Sequence, residues 1–185
     1  MRTTRRLQVL AVALAAFALA GTLVRATPLA SKQAVPRATA DTSLVGRLAG
    51  TWRLDVAASE LGKGPRVPKW REDRIVRDGD WIAVKVTSVR TSGDTVRLDF
   101  RYHTAGEAVN RLAGQEVRTR GKREGGKLAL ESEAQLALFK FEVSERWSVS
   151  ADGATLTQER TSRSPMGEES QRLVMRRLVP APASR

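Results

Sequence analysis

The chain has 185 residues and no cysteine, with 32 Lys and Arg against 20 Asp and Glu, a net charge of +12. That length suggests one domain. Without cysteine no disulfide can form, and with one histidine a structural zinc site has too few of its usual ligands.

Residues 1–26 read as an export signal. Arg2, Arg5 and Arg6 form a basic start, and residues 7–20 (LQVLAVALAAFALA) are apolar apart from Gln8. Ala18-Leu19-Ala20 or Val24-Arg25-Ala26 supplies a small-residue cleavage site. The run falls short of the ~20 apolar residues of a membrane span. The membrane is therefore expected to be met only during export, towards the periplasm or the extracellular space. An uncleaved anchor helix is the alternative. Cleavage after Ala20 leaves 29 basic against 20 acidic residues, a net +9. Residues 27–43, rich in Ala, Thr, Ser and Pro, read as a disordered tether, and residues 179–185 as a disordered tail. The folded domain is expected over residues 44–178.

Within it, apolar residues recur at every second position, the period of a strand. Turn signals follow at short intervals: Asp78-Gly79, Gly93-Asp94, Gly125-Gly126, Asp152-Gly153 and Pro165-Met166-Gly167. This pattern predicts an all-β, antiparallel up-and-down β-barrel of about eight to ten strands. The prolines of residues 62–68 (GKGPRVP) exclude a sheet interior and predict a long loop across one barrel end.

Turn chemistry predicts the register. A two-residue turn at Asp152-Gly153 sets Val149 opposite Leu156, Trp147 opposite Gln158, and Glu145 opposite Arg160, with Phe139, Phe141, Val143, Glu145, Trp147 and Val149 inward. Glu145 and Arg160 then form an inner ion pair or, equally, a rim salt bridge. A turn at Gly125-Gly126 sets Gly121 opposite Leu130, Thr119 opposite Ser132 and Val117 opposite Ala134. Gly121, Thr119, Ser132 and Ala134 make a wall of small inward residues, which leaves a cavity unless large ones fill it. The same hairpin sets Arg118 opposite Glu133 and Arg120 opposite Glu131. The run RTRGKR, which resembles a nucleic-acid patch, thus has carboxylates across the strand, and no nucleic-acid partner is expected. A three-residue loop at Ser92-Gly93-Asp94 sets Val86 opposite Phe100 and Val84 opposite Tyr102, with Val96, Leu98, Phe100 and Tyr102 inward.

Little here signals catalysis. His103, the one histidine, falls on the outer parity near a strand end, so neither a haem ligand nor a metal ligand is expected, and no cofactor. No phosphate loop, G-x-S-x-G elbow or H-E-x-x-H motif occurs. Among the carboxylates, Glu145, beside Phe141, Val143 and Trp147, is the best candidate acid or base, against the plainer reading of a structural ion pair with Arg160.

Gly50-Thr51-Trp52 resembles the G-x-W of lipocalins and related calycins, whose Trp caps the barrel bottom at the first strand. The stretch LAGTWRLDVAASELGKGP from Leu48 is similar to the start of a largely uncharacterised group of secreted bacterial lipocalin-like proteins. Residues 147–168 (WSVSADGATLTQERTSRSPMGE) resemble the late hairpin and final turn of that group. The resemblance implies a lipocalin-like barrel after the signal helix, with an Arg of the last strand packed across Trp52. Arg172, Arg176 and Arg177 are candidates; Arg177 shares parity with Leu173 and Met175. The chain departs from lipocalins in having no disulfide and no helix after the last strand.

Three functions follow. The first is a non-enzymatic barrel for a small apolar or amphipathic molecule, lined by Phe100, Tyr102, Thr119, Ser132, Phe139 and Phe141, with Glu145 and Arg160 orienting a polar head. The second is an envelope interaction module or protease inhibitor with a filled barrel. The third is an isomerase or hydratase using the inner carboxylate. The sequence does not specify the oligomeric state.

Overall fold

A computed structural model describes residues 43–62, 67–136 and 139–178. The leader, most of the tether, much of the 62–68 loop and the tail lie outside the described residues. The alternating segments form ten antiparallel strands: β1 (Gly50–Leu54), β2 (Pro68–Asp78), β3 (Trp81–Arg90), β4 (Thr95–His103), β5 (Glu107–Leu112), β6 (Gln115–Glu124), β7 (Lys127–Leu136), β8 (Phe139–Val149), β9 (Thr155–Ser164) and β10 (Gly167–Leu178). One short helix, α1 (Leu44–Leu48), precedes them, with the Ser43 hydroxyl accepting from the Gly46 N–H.

Consecutive strands pair, except between β4 and β5, and β10 returns to pair with β1. The result is a nearly closed up-and-down barrel. At its seam a side chain replaces the missing ladder. Asn110 of β5 accepts the Arg101 N–H at 2.7 Å and donates to the Arg101 carbonyl at 3.1 Å, copying a peptide's two bonds. Below it, the Gly121 N–H donates to Gly106 O at 2.8 Å. A Cβ on Gly121 would sit 1.9 Å from the His103 carbonyl oxygen. Gly121 is therefore small because backbone crosses it, not because a cavity lies there.

The registers show what turn residues can and cannot specify. Gly125 and Gly126, at φ 53° and 76°, form the two-residue turn, and every pair expected across β6 and β7 is present. Across β8 and β9 the register also matches, with Glu145 opposite Arg160. The connection is longer than expected: Gly153 N donates to Ser150 O and Ser150 N to Thr155 O, leaving residues 151–154 as the loop. The β3–β4 pairing differs by two residues. Val84 faces Phe100, Val86 faces Leu98, and Ile82 faces Tyr102. The three-residue loop starts one residue earlier, at Thr91, because a type I turn (Gly93 N to Arg90 O) places Gly93 third, at φ 97°. The shift of two preserves the inward face.

The core fills one half of the barrel. Leu48, Trp52, Ile75, Ile82, Leu128, Leu130, Trp147, Leu156 and Met175 are buried there. Helix α1 lies across this end, held by Arg47, which donates to the Val149 and Ser150 carbonyls at 2.7 and 2.6 Å.

Candidate functional site in the barrel interior

The floor is locked by one arginine. Arg177 of β10 lies over the Trp52 ring at 4.1 Å and donates to Gly153 O at 2.7 Å, Ala49 O at 2.7 Å and Arg47 O at 2.5 Å. Burial lowers its pKa. Trp52 in turn donates its indole N–H to Leu48 O at 2.8 Å. Gly50 leaves room for this guanidinium: a Cβ there would meet Arg177 Nη1 at 2.5 Å, and its φ of 143° disfavours any side chain. The three residues tie α1, β1, β10 and the β8–β9 loop into one closed end.

The opposite half is open. Leu98, Phe100, Ser132, Ala134, Phe141, Val143, Arg160 and Ser162 all share inward parity with buried residues of their strands, yet each is only partly buried. Inward side chains keep solvent contact near the barrel mouth or where the space between the walls is unfilled. The sequence-selected residues divide between the two halves. Phe100, Ser132 and Phe141 line the open half, while Tyr102 is buried at the floor, edge-on to Trp147 at 5.9 Å. Thr119 is buried too and bonded to the Ser132 hydroxyl at 2.9 Å. Phe139, expected on the inner wall, is 42% exposed at the start of its strand and lies at the rim.

Between floor and open half sits a layer of charge. Arg160 Nε approaches Glu145 Oε1 at 3.3 Å, and Trp147 donates its indole N–H to Glu145 Oε2 at 2.8 Å. A second pair, not singled out from the sequence, comes from β2. Arg71 grips Asp73 through two bonds of 2.8 and 2.7 Å, with Asp73 fully buried. Burial lowers the Arg71 pKa, but the charge and hydrogen bonds of Asp73, with Glu145 beyond, raise it overall. All four groups act on Tyr102. Burial, the largest influence, and the charges of Glu145 and Asp73 push its phenol well above the usual value, while Arg160 and Arg71 oppose them. Gln158, opposite Trp147 on β9, completes the layer. The parity of Arg71 and Asp73 with Ile75 was the available signal; Gln158 and Asn110 become significant only through what surrounds them.

The outer face is charged, and part of its basic surplus is paired. Arg120 pairs with Glu107 at 2.6 Å, not with Glu131, because Glu107 also lies directly opposite it and Glu131 accepts from Ser144. Glu133 pairs with Lys140 at 3.1 Å instead of Arg118. Lys122 pairs with Glu124, while Arg123, on the inward parity of β6, pairs with Asp80 and donates to Thr104 at the barrel end. His103 is on the outer face, edge-on to Trp81 at 4.8 Å, its Nδ1 accepting from the Ala105 N–H. Among the described residues no group of three or more His, Cys, Asp or Glu could hold a metal ion.

Comparison with solved structures places this architecture. A secretory abundant heat soluble protein from Ramazzottius varieornatus superposes over 71% of this chain and 96% of its own, at TM-score 0.50 and 13% identity. Secretory abundant heat soluble protein 4 from the same organism covers 71% and 94%, at 0.50 and 12%. The fold they share with this chain is a nearly closed, antiparallel up-and-down β-barrel. A Schistosoma mansoni fatty acid binding protein in complex with arachidonic acid is similar at TM-score 0.48 and 14% identity, over 74% of this chain and 100% of its own. No family model matches the sequence, and no curated protein matches it significantly. The barrel is thus known by its shape alone, and its chemistry rests on its own residues.

Proposed function

We propose that this barrel is an exported, non-enzymatic binding protein for a small apolar or amphipathic molecule. The observation that carries the reading is the divided interior: a packed floor, a charged layer above it, and an open half whose inward side chains are mainly Leu98, Phe100, Ala134, Phe141 and Val143. Such a chamber removes apolar ligand surface from water at ~25 cal/mol per Å², while a few polar groups at its base orient one end. Glu145 has one oxygen against Arg160 and the other holding the Trp147 indole, which supports a positioning role for it rather than acid–base catalysis. The basic leader with its apolar run supports export to the periplasm or extracellular space. The ion pairs of Arg120, Lys122 and Arg123 within the basic run support a role without nucleic acid.

Native mass spectrometry of the protein purified from its own host tests this. The expected spectrum shows a small molecule that leaves on denaturation. A clean apo mass, with no uptake of added fatty acids or other apolar probes, overturns the reading in favour of an interaction module.

A further inference from the structure

Two buried donors in the charged layer lack a hydrogen bond; the contact of Arg160 Nε with Glu145 Oε1 at 3.3 Å is an ion pair without hydrogen-bond geometry. Gln158 Nε2 and Arg160 Nε are shielded from solvent, and neither has a hydrogen-bond partner. Both side chains point inward from β9, two residues apart. Gln158 is 4% exposed and stands directly above Leu156, which belongs to the sealed floor. Arg160 stands one step higher, its side chain 36% exposed to the open half. Buried amide and guanidinium donors are rarely left unpaired, because their lost hydration is not recovered. An acceptor arriving from the open half would recover it for both.

The charge around them selects the acceptor. Arg71 and Asp73 neutralise one another, as do Arg160 and Glu145, so the layer carries no net charge. A carboxylate brought to Gln158 and Arg160 would add a third anion beside Glu145, in a site where unpaired charge is costly. A neutral oxygen meets both donors without that cost. Resting on the binding-barrel reading, we infer that the ligand carries a neutral oxygen head, a hydroxyl or carbonyl on an apolar body, received by Gln158 and Arg160. Both side chains are long and unbranched, and a rotamer change turns their donors toward the chamber as the head enters.

Displacement of Nile red from the full chain near neutral pH by palmitate, and by the alcohol and primary amide of the same chain length, tests the inference. The alcohol and amide are expected to displace the dye at concentrations about tenfold below palmitate, a difference of ~1.4 kcal/mol. Gln158→Leu, with circular dichroism and retained Nile red binding as controls for folding, is expected to abolish that preference. Gln158→Asn, which keeps a shorter amide, is expected to retain part of it. If palmitate binds as well or better, or if Gln158→Leu leaves the preference intact, the neutral-head assignment is wrong while the barrel still binds lipids. If neither dye nor any of the three ligands binds the wild-type chain, the binding-barrel reading itself fails.

Discussion

Asn110 does by side chain what a ladder does by backbone. It is 8% exposed, and its amide satisfies both polar groups of Arg101 at the only break in the strand pairing among the described residues. Asn110→Ala leaves a donor and an acceptor unpaired at the seam. The expected loss is about 2 kcal/mol of stability, read as a lower urea midpoint. Hydrogen exchange should quicken at Arg101 before it does at the centre of β7. Asn110→Asp should repair little, because a carboxylate accepts from the Arg101 N–H but cannot donate to its carbonyl. Equal stability of all three proteins would show that the seam does not depend on this side chain.

At the level of the hairpin, glycine decides where a chain turns. The β6–β7 connection needs φ above zero at two successive residues, and Gly125-Gly126 supplies both, so its register is readable from two letters. The β3–β4 connection needs one such residue, at the third loop position, and a single Gly does not announce which position it fills. Nothing lies within 4 Å of a Cβ built on Gly93, so crowding plays no part there; only the φ of 97° does. Gly93→Ala is accordingly expected to cost about 1 kcal/mol from backbone conformation alone. The Val89–Thr95 pairing should persist in cross-strand amide contacts by NMR. A neutral substitution would mean that the loop has another conformation in solution.

Across the whole molecule the two ends have opposite characters, and Tyr102 reports on the closed one. It is the chain's single tyrosine, so the phenolate absorbance belongs to it alone. Burial first, then Glu145 and Asp73, hold its folded pKa well above the ordinary value of 10.0. Below that pH both folded and unfolded chains carry a neutral phenol, and Tyr102 contributes no pH dependence. Above it the unfolded chain loses the proton and the folded one keeps it, so stability falls with rising pH by ~1.4 kcal/mol per unit. Phenolate absorbance should therefore rise only in step with the loss of circular dichroism. Tyr102→Phe should remove that alkaline slope. A simple titration near 10 in the folded protein would place the phenol in water and contradict the sealed floor.

The class of fold was determined by the sequence itself, because period-two alternation and turn glycines are local properties that neighbouring residues express without help from distant ones. The same local rules placed Glu145 opposite Arg160, and the resemblance of Gly50-Thr51-Trp52 to the calycin G-x-W directed attention to Arg177. What local rules could not supply was depth. Phe139 and Trp147 share a strand and a face, yet one lies at the rim and the other in the floor. Parity says which way a side chain points, not how far the opposite wall stands from it. The Arg71–Asp73 pair, the Asn110 seam and the unpaired donors of Gln158 and Arg160 were likewise decided by the tertiary structure. Each depends on which strands meet around the barrel, and a polar residue acquires its cost or its use only from the groups that closure brings beside it.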